Sequence, residues 1–147
     1  MLYSLHITKG RFNIYTNTFM EIAFLIGRII FGGYFLKNAY NHIFKSAHLI
    51  GYAQSKGVKS PKLAIIGSGV LLAFGGLSMI LGVWTVWGAV AIIAFLVPVS
   101  VKMHDFWKVQ DPMMRMGERI NFEKNMALAA AALMTMAIAM PWVYSAF

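Results

Sequence analysis

Residues 63–101 read LAIIGSGVLLAFGGLSMILGVWTVWGAVAIIAFLVPVSV. This stretch holds two apolar runs, roughly Leu63–Val83 and Thr85–Val101, set almost end to end. At about 1.5 Å of rise per helical residue, a run of ~20 residues covers a hydrocarbon core of ~30 Å. Pro61 suits the first helical turn and Gly82 suits a helix end. The connection carries no charge and contains Trp84 and Trp87, whose amphipathic rings favour the membrane boundary. Strand alternation and turn signals for a βαβ unit are not evident, whereas a helical hairpin satisfies its own backbone in lipid.

Working outward, residues 19–36, FMEIAFLIGRIIFGGYFL, form another span-length run interrupted by Glu21 and Arg28. Towards the C-terminus, an Ala- and Met-rich segment from about Asn125 to Trp142 gives a fourth run, bent or ended by Pro141. The expected fold is all-α, a four-transmembrane-helix bundle in one domain over residues 1–147. Its spans fall at about 18–37, 63–83, 85–101 and 125–142. Asp111 followed by Pro112 has the form of a capped helix start, and Met113, Met116 and Ile120 share a face at helical spacing. That segment reads either as a short interfacial helix between the third and fourth spans or as a loop with one helical turn.

Composition supports the membrane reading: 59% of the 147 residues are hydrophobic and 12% are charged, about half the charged share of a soluble domain. The formal charge of +8 is concentrated between apolar runs instead of on a recognition helix, which favours an anionic bilayer surface over nucleic acid. Lys37, Lys45, Lys56, Lys59, Lys62, Lys102, Lys108, Arg115, Arg119 and Lys124 fall on one side of a four-span layout; Lys9 and Arg11 fall on the other. The positive-inside rule then places both termini outside the cytoplasm and the protein in the cell membrane. Lys9 and Arg11 precede a long run without a cleavage signal, so it reads as a retained span. There is no cysteine, hence no disulfide, thiol nucleophile or cysteine-ligated cluster within the chain.

The conspicuous polar residues fall into two groups. Glu21 and Arg28 lie seven residues apart on one helical stripe, where they line a polar path or make intramembrane contacts to another helix. Asn38, Asn41, His42 and Lys45 share a face near the first span's end, on the same membrane side as His104 and Asp105 in the sequence MHDFW. Two imidazoles and a carboxylate there would suit a quinone carbonyl, proton exchange or packing between helices. Metal-ligand spacing such as HExxH is missing, so no metal is expected. Paired glycines, Gly32 and Gly33 and then Gly75 and Gly76, together with Gly69 and Ala73, offer surfaces for close helix approach.

The polar stretch YFLKNAYNHIF at residues 34–44, the two close central spans, the histidine at the third-span exit and NFEKN at residues 121–125 resemble the DoxX/DoxD-like membrane protein family. The resemblance runs from about Phe19 to Met140. Some members are associated with membrane redox systems, including a thiosulfate:quinone oxidoreductase assembly. The resemblance implies that Asn38, His42, His104 and Asp105 occupy the polar family positions, with Asn121 and Asn125 nearby. It points to a noncatalytic accessory subunit of a larger membrane oxidoreductase complex, with quinone as the cofactor in question. Direct quinone binding by His42 or His104, tuned by Asp105, is an alternative; a small lipid or solute transporter using Glu21, Arg28 and Pro98 is another.

Overall fold

The computed structural model describes residues 9–146, with side chains described over 18–146. The side chains of Lys9 and Arg11 lie outside the described residues. Helix α1 spans Lys9–Phe44, α2 Ala47–Ser55, α3 Pro61–Leu81, α4 Thr85–Met103 and α5 Pro112–Thr135, with a 3-10 turn at Phe106–Lys108. Helix α3 packs against α1, α2 and α4, and α4 packs against α5. The core runs along these seams through Phe35, Leu72, Met79, Ile92 and Leu96. Large apolar residues such as Ile26, Ile30, Leu63 and Val70 face outward, as expected for a surface solvated by lipid.

Among the described residues, three helices are long and apolar enough to cross a membrane: Thr18–Phe44, Pro61–Leu81 and Thr85–Lys108. The four-span expectation is therefore corrected to three. Helix α5 starts at Pro112, where the Asp111 side chain accepts a hydrogen bond from the Met114 N–H at 2.8 Å. No helix breaker separates Ile120 from Asn125, so the expected interfacial helix and the first part of the expected fourth span form one continuous helix. Its stretch up to Lys124 carries Arg115, Glu118, Arg119, Glu123 and Lys124. Its apolar part, from Asn125 to Thr135, covers only about 16 Å at the helical rise. Beyond Thr135 the chain turns back instead of continuing outward. The even span count that placed both termini on one membrane side is lost with the fourth span.

What draws the last residues back is the end of α3. A helix leaves its last four carbonyls without intrahelical partners, here those of Ser78, Met79, Ile80 and Leu81. Gly82 turns the chain at φ 71°, and its N–H reaches the Ser78 carbonyl at 2.9 Å. Arg28 Nε donates to the Met79 carbonyl at 3.0 Å and Nη2 to the Ile80 carbonyl at 2.7 Å. Ala146 N–H donates to the Leu81 carbonyl at 2.8 Å. All four carbonyls are thus satisfied. Arg28 Nη1 also donates to the Val143 carbonyl at 2.6 Å, and its guanidinium lies over the rings of Phe24 and Trp142. Trp142 meets Phe24 edge to face at 5.1 Å between centroids.

The seams between helices depend on small residues. A Cβ on Gly32 would lie 2.5 Å from the Gly76 carbonyl oxygen, and one on Gly76 would lie 2.7 Å from that of Gly32. The pair therefore fixes the closest approach of α1 to α3. Gly33, which the sequence pairs with Gly32, faces open space.

Arg28→Lys keeps the charge but cannot span three carbonyls with one planar fork. Each buried carbonyl left without a partner costs about 1–3 kcal/mol. The detergent-solubilised variant is expected to unfold several degrees below wild type, and Arg28→Ala lower still, in a tryptophan-fluorescence melt. Wild-type midpoints for both would show that the guanidinium does not hold this end together.

Candidate functional site

At the opposite end from Arg28, the five helices surround a cavity of about 510 Å3. This is within the range of small-molecule sites, which are typically apolar with a few placed polar groups. Most of the wall is apolar, from residues such as Phe35, Leu72, Phe95 and Val99. Pro98, inside α4, also lines it, as does Leu63, which is 75% exposed on the outer surface.

The polar groups come from all five helices. Asn38 and His42 lie four residues apart on α1, hence on one face. The Asn38 amide donates to the Tyr34 carbonyl at 2.7 Å, one turn back. Ser68 of α3 lies 2.8 Å from His42 Nδ1, and its hydroxyl donates to the Ile65 carbonyl at 2.8 Å. The His42 ring meets Phe95 edge to face. His104 caps the end of α4, its N–H bonded to the Ser100 carbonyl at 3.1 Å. Tyr52 of α2, Lys102 of α4, and Lys124 and Asn125 of α5 also line the cavity. Asn125 is only 7% exposed.

Behind the cavity wall, Glu118 joins α5 to both α2 and α4. Its Oε2 lies 2.7 Å from His104 Nδ1, and the Tyr52 hydroxyl reaches its Oε1 at 2.7 Å. The same hydroxyl lies 2.9 Å from the Met103 carbonyl. Burial works against ionisation of Glu118, but the His104 and Tyr52 hydrogen bonds, with the nearby Lys56 charge, hold its carboxyl below the ordinary carboxylate value. Burial, followed by the Glu118 hydrogen bond and charge, pushes the Tyr52 phenol upward, so it remains a donor at neutral pH. Next to this group, Lys56 pairs with Asp105 at 2.6 Å and Lys108 pairs with the other Asp105 oxygen at 3.3 Å.

The structure thus gathers Asn38, His42 and His104 around one cavity. Asp105 instead ties the end of α2 to the α4 exit through Lys56, with Lys108 of the following turn on its other oxygen, and the carboxylate beside His104 is that of Glu118. Glu21 and Arg28 belong to the other end of α1, and Arg28 is engaged by carbonyls and not by Glu21. Sequence reasoning missed Tyr52, Ser68 and Glu118. Each meets its partner across elements, at separations of 14 residues or more for the histidine contacts, where no local spacing signals it. Among the described residues, no three His, Asp or Glu side chains converge as a metal site.

Because the folded-state value of Glu118 is depressed from an ordinary 4.5, its contribution to stability is present above that value. It is lost as pH falls through the lower folded-state value. Acid melts of the solubilised chain should show this loss, and Glu118→Gln should flatten that part of the profile. Tyr52→Phe should loosen α2, read as faster amide exchange over residues 47–55. An unchanged acid limb in Glu118→Gln would argue against a folded-state contribution from this carboxylate.

Comparison with curated proteins and with solved structures gives no match. The family model described as DoxX matches residues 23–105, more than half of the chain. The matched region includes the Asn38 and His42 face of α1, the α3–α4 hairpin and the exit bearing His104 and Asp105, and the chain belongs to the DoxX family.

Proposed function

We propose that this DoxX protein is a noncatalytic membrane subunit that holds the headgroup of an isoprenoid quinone for a larger oxidoreductase. The observation that carries the reading is the apolar cavity lined by His42, His104 and Asn125. The residues therefore fit a headgroup with two oxygens on an apolar ring. Exposed Leu63 and Leu71 on the cavity rim give an isoprenoid tail a route to the lipid. A bound quinone would carry electrons and protons between membrane partners. This chain's own part is to orient the ring, exclude water and supply hydrogen-bonding groups.

A separate subunit would have to exchange the electrons, since the chain has no cysteine for thiol chemistry or a cysteine-ligated cluster. The outward apolar faces of α1 and α3 offer area for such a partner or for lipid. Lys56, Lys102, Lys108 and Lys124 gather at the cavity end, which the positive-inside rule assigns to the cytoplasmic side.

The test is photoaffinity labelling of the purified chain in nanodiscs with an azido-quinone, followed by peptide mapping. Labels are expected on peptides bearing His42 and His104. His42→Ala and Asn125→Ala should each reduce labelling by about five- to tenfold, the effect of one lost buried hydrogen bond. Labelling confined to the outer faces, or insensitive to both substitutions, would reject the site. Gentle isolation from native membranes should retain a redox-active partner.

A further inference from the structure

We infer that a second site, a groove between the Phe106–Lys108 turn and the start of α5, binds the phosphate headgroup of an anionic phospholipid from the surrounding bilayer. The groove has a volume of about 300 Å3 and is lined by Phe106, Gln110, Pro112, Arg115, Met116 and Arg119. It shares no lining residue with the larger cavity and does not depend on the quinone reading.

The depth of the groove follows from the chain. The third membrane-crossing stretch ends at Lys108. Phe106 therefore belongs to the last turn of the apolar span and Gln110 to the first residues past it, the level at which acyl chains give way to headgroups. Trp107, 47% exposed, suits that boundary. The rings of Phe106, Trp107 and Phe122 meet one another edge to face, which holds the aromatic side of the groove against α5.

Arg115 and Arg119 lie four residues apart on α5, hence on one face, and both line the groove. Each guanidinium is permanently cationic and presents a planar fork that matches phosphate oxygens. Phe106 and Met116 supply the apolar surface that the glycerol and first acyl carbons need. Exposed Met113 and Ile120, on the same helical face as Met116, continue that surface along α5.

The acidic groups nearby are engaged elsewhere. Asp111 caps α5 through the Met114 N–H, Asp105 is paired with Lys56 and Lys108, and Glu118 is bonded to Tyr52 and His104. Glu123 pairs with Arg119 through Nε at 2.7 Å, with the two side chains 64% and 58% exposed. An exposed pair of this kind is weak, and the contact takes one of the five N–H groups of the fork. A phosphate can accept from the others. Lys108 and Lys124 add to the positive field at this end of the molecule, and basic pockets beside membrane helices take acidic headgroups. A zwitterionic lipid would bring its own cation against the arginines, so the site favours a lipid with net negative charge.

The experiment titrates the full solubilised chain with phosphatidylglycerol or phosphatidylcholine of the same acyl chains, with bound lipid counted by native mass spectrometry. Wild type is expected to bind phosphatidylglycerol at least about tenfold more tightly, the effect of one charge-assisted hydrogen bond. The exposed pair Arg115→Gln with Arg119→Gln should abolish the preference, and Arg115→Lys with Arg119→Lys, which keeps the charge but not the forks, should lose part of it. Lys37→Gln with Lys45→Gln, two exposed cations on α1, should leave it within about twofold. In nanodiscs, phosphatidylglycerol should slow amide exchange over residues 106–119 relative to phosphatidylcholine. Equal binding of the two lipids by wild type would overturn the inference. A preference that survives the double glutamine variant, or that falls as far in the Lys37 and Lys45 variant, would show diffuse surface charge instead of this groove and overturn it too. Displacement of the lipid by an equal concentration of inorganic phosphate would overturn the assignment to a phospholipid.

Discussion

The structure depends on how the C-terminal end of α3 is closed. Four carbonyls point out of that helix end, and one guanidinium meets two of them. A cation suits the position because the helix dipole is negative there, so Arg28 can be buried without a carboxylate partner. The same side chain binds the Val143 carbonyl and lies against Trp142, so α1, α3 and the C-terminal segment share one contact. This explains why the apolar residues after Thr135 fold back as a cap instead of continuing as a span.

Closure at that end leaves the other end free to hold a site. The mutual approach of Gly32 and Gly76 brings α1 and α3 together along the seam. Towards the cavity end, α2 enters between the connections, and Tyr52 and Lys56 tie it to the α4 exit and to α5. The cavity is left between these elements, with apolar walls from the membrane-crossing helices and polar groups where the helices end. Such a division suits a ligand with a polar ring and an apolar tail.

Within the site, the electrostatic logic is indirect. Each histidine is held by a neighbour from another helix, Ser68 for His42 and Glu118 for His104. These neighbours orient the two rings at the cavity wall. Asp105 appears conspicuous in the sequence because it follows His104, yet adjacent residues at a helix exit point in different directions. It serves the lysines, while a carboxylate from a different helix serves the histidine.

The amino-acid sequence by itself determined the membrane class, the α3–α4 hairpin, the first span and the gathering of Asn38, His42 and His104 towards one end. Those features depend on local hydropathy, helical periodicity and charge placement, which are written in contiguous residues. Only the tertiary structure decided the fate of the last apolar run, because its path depends on unsatisfied carbonyls more than fifty residues earlier. It likewise decided that Glu118 and Ser68 orient the histidines. Those contacts join separate helices, and their geometry is set by packing that no local spacing encodes.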